Sequence, residues 1–366
     1  MKKILFVIGT RPEAIKLAPL IKELQNDPVN FTVKICITAQ HRHLLDEVLN
    51  IFRIKQDYDL NIMKTNQSLT YITAKILIEI ESILNVEKPD LILVQGDTTT
   101  AMTAALAAFY QKIRIGHVEA GLRTENKFSP FPEEINRRIT SIVTDLHFAP
   151  TKSAKDNLLN EGYDKSSVYV TGNTVIDALL WILKEHKEKP KINFNHGSKI
   201  LLVTAHRREN FGPGIKNICL ALKKIVQSND DVEIVYPVHL NPNIKNVVYR
   251  HLDDIERIHL IEPTDYVTFC HLLRKSYLIL SDSGGIQEEA PALGKPVLVL
   301  RETTERPEAI DAGNTLLVGT DSDKIYNETQ KLLHDEKAYK KMAEKHYLFG
   351  DGKSSQKIRN ILLEKL

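Results

Sequence analysis

The sequence predicts an α/β protein of two doubly wound, Rossmann-like domains facing a central cleft. Three observations predict it. Apolar runs of strand length alternate with segments of helical periodicity from residue 4 to residue 170, and again from residue 200 onward. Between the two arrays lies a polar, lysine-rich stretch, 187–197, with the composition of an interdomain connection. Polar residues stand at the carboxyl ends of the apolar runs, where ligands bind in sheets of this kind.

In the first array, Ile4–Ile8 is a continuous apolar strand, too short and too soon followed by Arg11 and Glu13 for an export signal. Thr10-Arg11-Pro12-Glu13 opens a helix, with Thr10 as cap and Pro12 in the first turn. Its apolar face is Ile15, Leu17, Leu20, Ile21 and Leu24. Val33–Ile37 is a strand and His43–Phe52 a helix, and a longer helix repeats Leu69, Ile72, Ile76, Ile80 and Ile83. Leu91–Val94 is a strand ending in Gly96-Asp97-Thr98, and Ala101–Tyr110 is an alanine-rich helix suited to close packing. Ile113–Val118 is a strand ending in Glu119, the loop Leu122–Pro132 follows, and Glu133–Val143 is a helix. Leu146–Ala149 and Val168–Val170 are short strands, and Asp177–His186 is helical. The domain boundaries read as 1–172, 173–353 and a last amphipathic helix, 354–366.

The second array runs Ile200–Thr204 strand, Ile215–Val226 helix, Val232–Val238 strand, Ile244–Leu252 helix, Ile258–Ile261 strand and Tyr266–Leu273 helix. The strand Tyr277–Ser281 then breaks at Ser283-Gly284-Gly285 into a helix, Ile286–Leu293, with Glu288 and Glu289 in its first turn. Gly294 stops that helix before the strand Pro296–Leu300. Two glycines let backbone approach a ligand closely, and the first N–H groups of a helix attract an anion. Thr315–Val318 is a further strand and Lys324–His346 is helical.

Composition narrows the function. The 366 residues fit two domains, and 42% hydrophobic with 26% charged residues describes an ordinary globular protein with ample core. A formal net charge of +2 leaves no nucleic-acid footprint. No apolar run approaches the roughly 18 residues of a membrane span. Cys36, Cys219 and Cys270 lie in apolar runs without metal or redox spacing, which predicts buried free thiols in a reducing, cytoplasmic setting.

The candidate chemistry lies at the strand ends. Arg11 and Lys16, near a helix N-terminus, can hold a diphosphate, or form a solvated first turn. Asp97 is an acid/base candidate or a helix cap. Glu119, following Gly116-His117-Val118, is poorly placed for solvent and fits acid/base work. Glu133 and Glu134 open a helix, where a dipole role is the alternative. His206, at the first strand end of the second domain, is a general acid/base, a phosphate contact or a structural histidine. Asp57-Tyr58-Asp59 and Asp321-Ser322-Asp323 resemble metal-binding DxD signals but sit in polar turns. His41-Arg42-His43 lacks a third ligand at sensible spacing, so no metal is expected.

GTRPEAIK, AQHR, GDTTT, HVEAGLRT, FPEEINRR, TGNTVIDAL, YPVHLNP, SDSGGIQEEAP and RETTERPEA, in this order, closely resemble the non-hydrolysing bacterial UDP-N-acetylglucosamine 2-epimerases, nearly end to end. The resemblance implies a GT-B glycosyltransferase-like fold whose final helix crosses back to the first domain, and a UDP-binding second domain. The implied reaction interconverts UDP-N-acetylglucosamine and UDP-N-acetylmannosamine by anti elimination of UDP and its re-addition through a 2-acetamidoglucal. No cofactor or metal is needed, and the product supplies surface polysaccharide or teichoic-acid linkage synthesis. By motif match Asp97, Glu119 and Glu133 transfer protons and His206 assists. Arg11, Lys16, His206 and Ser283-Gly284-Gly285 hold the diphosphate, Glu289 the ribose, the segment near Thr264 and Phe269 the uracil, and Arg306 the sugar or phosphate. The family also implies a homodimer, and a second UDP-N-acetylglucosamine acting as activator on Gln40, His41, Glu134, Arg207 and His239. His43 and Asn66 or Gln67 depart here from the Gln and Arg of some members. Three rivals remain: a hydrolysing epimerase releasing UDP and free N-acetylmannosamine, a glycosyltransferase of the same fold, and a non-catalytic UDP-sugar sensor. Intact Asp97, Glu119, Glu133 and His206 weigh against the sensor, which needs no proton shuttles.

Overall fold

The structure is a computed structural model and describes residues 1–38, 42–62, 67–124, 126–187, 192, 194–304 and 306–366, without the side chains of 42–44. Gln40, His41 and Asn66 lie outside the described residues, as does the His43 side chain. The chain forms two compact units, Met1–Trp181 with Phe349–Leu366, and Ile182–Leu348.

The first unit alternates β1 (Lys2–Ile8), α1 (Arg11–Gln25), β2 (Phe31–Ile37), α2 (Arg42–Ile51), β3 (Tyr58–Asp59), α3 (Leu69–Glu87), β4 (Leu91–Gln95), α4 (Thr99–Tyr110), β5 (Arg114–Val118), α5 (Glu133–Val143), β6 (Leu146–Ala149), α6 (Lys152–Asn160), β7 (Val168–Val170) and α7 (Thr174–Glu185). The strands form one parallel sheet in the order β3-β2-β1-β4-β5-β6-β7. Helices on both faces bury the central strands, so Ile4, Leu5, Phe6, Val7 and Ile8 are all inaccessible and read as an unbroken apolar run.

The division into units passes through α7, beyond the 172/173 boundary read from the sequence. The start of α7 is bound into the first unit: Trp181 stacks on Phe52 at 4.7 Å, and Asp177 accepts the N–H groups of Ser354 and Ser355 at 3.2 and 2.8 Å. Those two serines begin the last helix of the chain, so a side chain of α7 caps it. That helix packs on α1, and its Arg359 pairs with Asp27 at 2.7 Å.

The second unit alternates β8 (Lys199–Thr204), α8 (Pro213–Ser228), β9 (Val232–Pro237), α9 (Pro242–Leu252), β10 (Ile258–Ile261), α10 (Tyr266–Lys275), β11 (Leu278–Ser281), α11 (Gly284–Ala292), β12 (Val297–Val299), α12 (Pro307–Asp311), β13 (Thr315–Leu317), α13 (Ser322–His334) and α14 (Glu336–Met342). The last helix, α15 (Ser354–Lys365), returns to the first unit. The second sheet is again parallel, in the order β10-β9-β8-β11-β12-β13.

Four local features differ from the sequence expectation. Tyr58–Asp59 is an edge strand paired to Cys36–Ile37, not a polar turn. The single helix expected over Lys324–His346 breaks at Asp335, whose carboxylate caps α14 by accepting the N–H groups of Lys337 and Ala338. α11 begins at Gly284 rather than Ile286, which moves Glu288 and Glu289 out of the first turn. Thr10 holds the N-cap position of α1 without a side-chain capping bond. Cys36, Cys219 and Cys270 are buried and unpaired. No helix among the described residues is long and apolar enough to cross a membrane.

Candidate active site

In each sheet the strand order reverses at one place, between β1 and β4 in the first and between β8 and β11 in the second. The loops leaving the carboxyl ends of two such strands turn to opposite sides and open a crevice. Candidate residues gather at both places.

At the first crevice Glu13, in the first turn of α1, points back beneath the loop. Its carboxylate accepts the Gly9 N–H at 3.1 Å and the Thr98 hydroxyl at 2.8 Å, tying the β1 loop to the β4 loop. Glu13 is 1% exposed, and burial pushes its pKa up to about 7 against the hydrogen bonds from Thr10, Thr98 and Gly9. The sequence reading gave this residue no role, although Thr10-x-x-Glu13 has the spacing of a capping box. Gly9 needs its lack of a side chain here, since a Cβ would meet the Thr100 hydroxyl at 2.1 Å. Arg11 begins α1 and is half-buried.

Lys16, also on α1, reaches Glu119 at 2.5 Å, and the Gln95 amide donates to the same carboxylate oxygen. Glu119 is 8% exposed, and its φ of 67° places a non-glycine residue in the left-handed region, a strained conformation that concentrates at functional sites. Asp97 follows Gly96, itself at φ 69°. The cap of α4 is Thr98, whose hydroxyl accepts the Ala101 N–H at 3.0 Å, so capping is not the task of Asp97. The Asp97 carboxylate instead pairs with Arg137 on α5, while the Asn136 amide donates to its carbonyl at 3.0 Å. His117 Nε2 lies 2.7 Å from the Gly96 carbonyl, and burial pulls the His117 pKa down to about 4, so the neutral ring donates and fixes that turn.

The first residue of α5 is Glu133, and its buried Oε2 has no hydrogen-bond partner among the described residues. Neighbouring Glu134 is fully buried and engaged at both oxygens: by the Thr124 N–H at 2.9 Å, Arg137 at 3.2 Å and Arg138 at 2.7 Å. Arg137 thus holds Glu134 and Asp97 together, a task the sequence gave no hint of.

At the second crevice the Thr204 and Ser281 hydroxyls, 2.7 Å apart, link the ends of β8 and β11. His206 follows β8, and its ring stacks on His239 at 5.8 Å and 13°. A candidate from the activator set therefore lies beside a candidate from the catalytic set. Desolvation lowers the His206 pKa below the ordinary histidine value; the Asp282 charge opposes this, and His239 and Arg207 add to it. Arg207 gives its N–H to Asp282 at 2.8 Å.

Ser283 is the N-cap of α11 and makes no side-chain capping bond, which leaves the first N–H groups of that helix for an anion. Beside them sits the Arg306 guanidinium: a Cβ on Gly284 would lie 3.0 Å from Arg306 Nη1. Glu288 orients Arg306 through a 2.8 Å pair. Glu289 is 6% exposed and accepts the Tyr266 hydroxyl at 3.0 Å. Phe269 on α10 packs against the core of the second unit, and Thr264 precedes that helix, half-buried.

Among the described residues no group of three or more His, Cys, Asp or Glu side chains forms a metal cage. The arrangement offers carboxylates with cationic partners in one unit, and a helix N-terminus, an arginine and a histidine pair in the other. This is equipment for proton transfer and for holding an anion.

Known proteins are similar in sequence and fold over nearly the whole chain. The sequence profile of the UDP-N-acetylglucosamine 2-epimerase family matches residues 22–363. The UDP-N-acetylglucosamine 2-epimerase of Campylobacter jejuni is 53% identical over 377 residues, covering 100% of this chain and 98% of that protein. The enzyme of the same name from Bacillus subtilis strain 168 is 51% identical, covering 99% and 95%. The crystal structure of UDP-GlcNAc 2-epimerase from Neisseria meningitidis bound to UDP-GlcNAc matches with a TM-score of 0.92 and 52% identity, over 99% of this chain and 100% of that one. The chain belongs to the UDP-N-acetylglucosamine 2-epimerase family.

Proposed function

We propose that the protein interconverts UDP-N-acetylglucosamine and UDP-N-acetylmannosamine by inverting C2. The hydrogen at C2 is not acidic in the way of one beside a carbonyl. Anti elimination of UDP to a bound 2-acetamidoglucal, with return of UDP to C1 and of a proton to the opposite face of C2, avoids a free carbanion. That route needs proton-transfer groups for both faces and a holder for the departing diphosphate. Asp97, Glu119 and Glu133 act on the sugar, and Lys16 steadies Glu119. Ser283-Gly284-Gly285, Arg306 and His206, with Arg11, take the diphosphate; Glu289 takes the ribose, and the Thr264–Phe269 segment the uracil. The observation that carries this reading is Glu119, buried and held in a strained turn between Lys16 and Gln95. Incubation with UDP-N-acetylglucosamine in deuterium oxide, followed by proton NMR, tests it. Deuterium at C2 of both UDP-sugars is expected. Retention of the C2 hydrogen excludes elimination, and free N-acetylmannosamine with UDP selects the hydrolysing alternative.

The activator site is also part of the proposal. The stacking of His239 on His206 supports a second UDP-N-acetylglucosamine bound close to the reacting one, with Arg207, Glu134 and, outside the described residues, Gln40 and His41. Pure UDP-N-acetylmannosamine should then turn over poorly until UDP-N-acetylglucosamine is added; full reverse activity without it rejects the site. We read the enzyme as a cytoplasmic homodimer supplying surface polysaccharide or teichoic-acid linkage synthesis. The apolar residues Ile78, Phe109, Tyr110 and Ile142, exposed on the adjoining helices α3, α4 and α5, support a second copy as the partner. Tyr110→Asp should yield a monomer in sedimentation.

A further inference from the structure

We propose that Asp282 is the positioning residue of His206: it accepts the Nδ1 proton of the imidazole, so that Nε2 faces the substrate free of hydrogen. This rests on the reading above that His206 works in the epimerisation.

The geometry is that of the second crevice. Asp282 directly follows β11 and is fully buried. One carboxylate oxygen, Oδ2, is saturated: it accepts the N–H of His206 at 2.8 Å, the N–H of Arg207 at 2.8 Å and the Asn210 amide at 3.0 Å. The other, Oδ1, is buried and has no hydrogen-bond partner among the described residues, and His206 Nδ1 stands 3.4 Å away. Leaving a buried carboxylate oxygen unpaired is costly, because its lost hydration is not replaced. A modest turn of the imidazole removes that cost by forming the bond, and the ring is free to make it, since the His206 side chain is 44% exposed.

The three donors on Oδ2 fix the plane of the carboxylate, and the carboxylate then fixes which ring nitrogen holds hydrogen. The groups facing the ring are Asp282, His239 and Arg207; only Asp282 favours its protonation. An imidazole with Nε2 bare can take a proton or, once protonated, donate to a phosphate oxygen while Nδ1–H stays on Asp282. A purely structural Asp282 would need only Oδ2.

The test has two parts. On the wild-type enzyme, 15N NMR of the histidine rings should show neutral His206 with hydrogen on Nδ1; hydrogen on Nε2 overturns the proposal whatever any variant does. In Asp282→Asn, the amide oxygen can keep the three bonds of Oδ2 while its NH2 faces Nδ1 and imposes the opposite tautomer. We expect kcat to fall about a hundredfold, the size typical for loss of acid/base function, with KM changed less than about threefold and the His206 pKa lowered. In the His206→Gln background the same change should have no further effect on kcat, because the two act as one unit. Slow His206→Gln with near-normal Asp282→Asn overturns the Asp282 proposal alone. Near-normal His206→Gln overturns the assignment of His206 on which it rests.

Discussion

The two crevices share a topology and differ in chemistry. Each sits at the reversal of a parallel sheet, with one residue buried beneath its loops: Glu13 under the first, Asp282 under the second. Glu13 takes one N–H and one hydroxyl and is pushed up to about 7. Asp282 takes two N–H groups and an amide on a single oxygen. What stands above them differs in sign. The first crevice presents carboxylates, two of them steadied by a cation: Glu119 by Lys16, and Asp97 by Arg137. The second presents an uncapped helix N-terminus, Arg306 and the His206–His239 stack. On the proposed reading one topology serves acidic proton-transfer groups in one unit and an anion holder with its histidine in the other, because the fold fixes where a ligand goes and the loops fix what it meets.

The sharpest way to break this comparison is to remove the charge at the first crevice. Glu119→Gln should lower kcat by about a hundredfold or more, and Asp97→Asn and Glu133→Gln similarly, while KM changes little, since the proposal has these groups act on the sugar ring. Some variants should release the glucal with UDP as dead-end products, visible by NMR. Near-normal turnover in Glu119→Gln would take away the proton-transfer role of the first crevice.

A smaller effect is expected at the helix N-terminus of the second. In Gly284→Ala the new methyl group meets the guanidinium of Arg306, the far end of a flexible side chain, so the fold should tolerate it. The displaced guanidinium and the methyl crowd the N–H groups proposed to hold the diphosphate. KM for UDP-N-acetylglucosamine should rise about tenfold, equal to about 1.4 kcal/mol of binding, with kcat lowered far less. A large loss of kcat at unchanged KM would mean that the helix N-terminus, and not His206 alone, takes part in the chemistry.

How much of this was legible in the sequence follows from the distance over which each feature is decided. Ile4–Ile8 and Ile200–Thr204 announced themselves because central parallel strands are buried on both faces and need no alternation. Tyr58–Asp59 did not, since a two-residue edge strand carries no periodic signal. The Ser283-Gly284-Gly285 turn was visible, but the helix start was misjudged by treating glycine only as a breaker. Asp97 and Glu119 were singled out by their strand-end positions, but their cationic partners, 40 residues away in one case and 103 in the other, were not legible. Arg137 and Asp282 escaped altogether, because their tasks exist only once α5 meets the Asp97 loop and β11 meets β8. Glu13 was the one miss with a local cue, its capping-box spacing.

That missed residue gives the smallest and most selective test of the comparison. Glu13 has a folded pKa of about 7 against an ordinary value of 4.5. Between those two values the folded protein holds a proton that the unfolded chain has lost, so stability from this group is full below pH 4.5 and drains away as pH rises to about 7. The buried histidines of the same unit act the other way. Burial pulls His117 down to about 4 and His147 down to about 3, so they weaken the fold as pH falls below the ordinary histidine value of 6.5. Net stability mixes the opposing slopes, but the difference between Glu13→Gln and wild type cancels the histidines and isolates Glu13. The variant should gain Tm relative to wild type as pH rises from about 4.5 to about 7, by a few degrees in all, and the gain should level off above that. The Gln amide still accepts the Gly9 N–H, so any change in hydrogen bonding adds only a constant offset. A Tm difference independent of pH across this window would mean that Glu13 is ionised in the fold, and the neutral carboxyl beneath the first crevice would have to be given up.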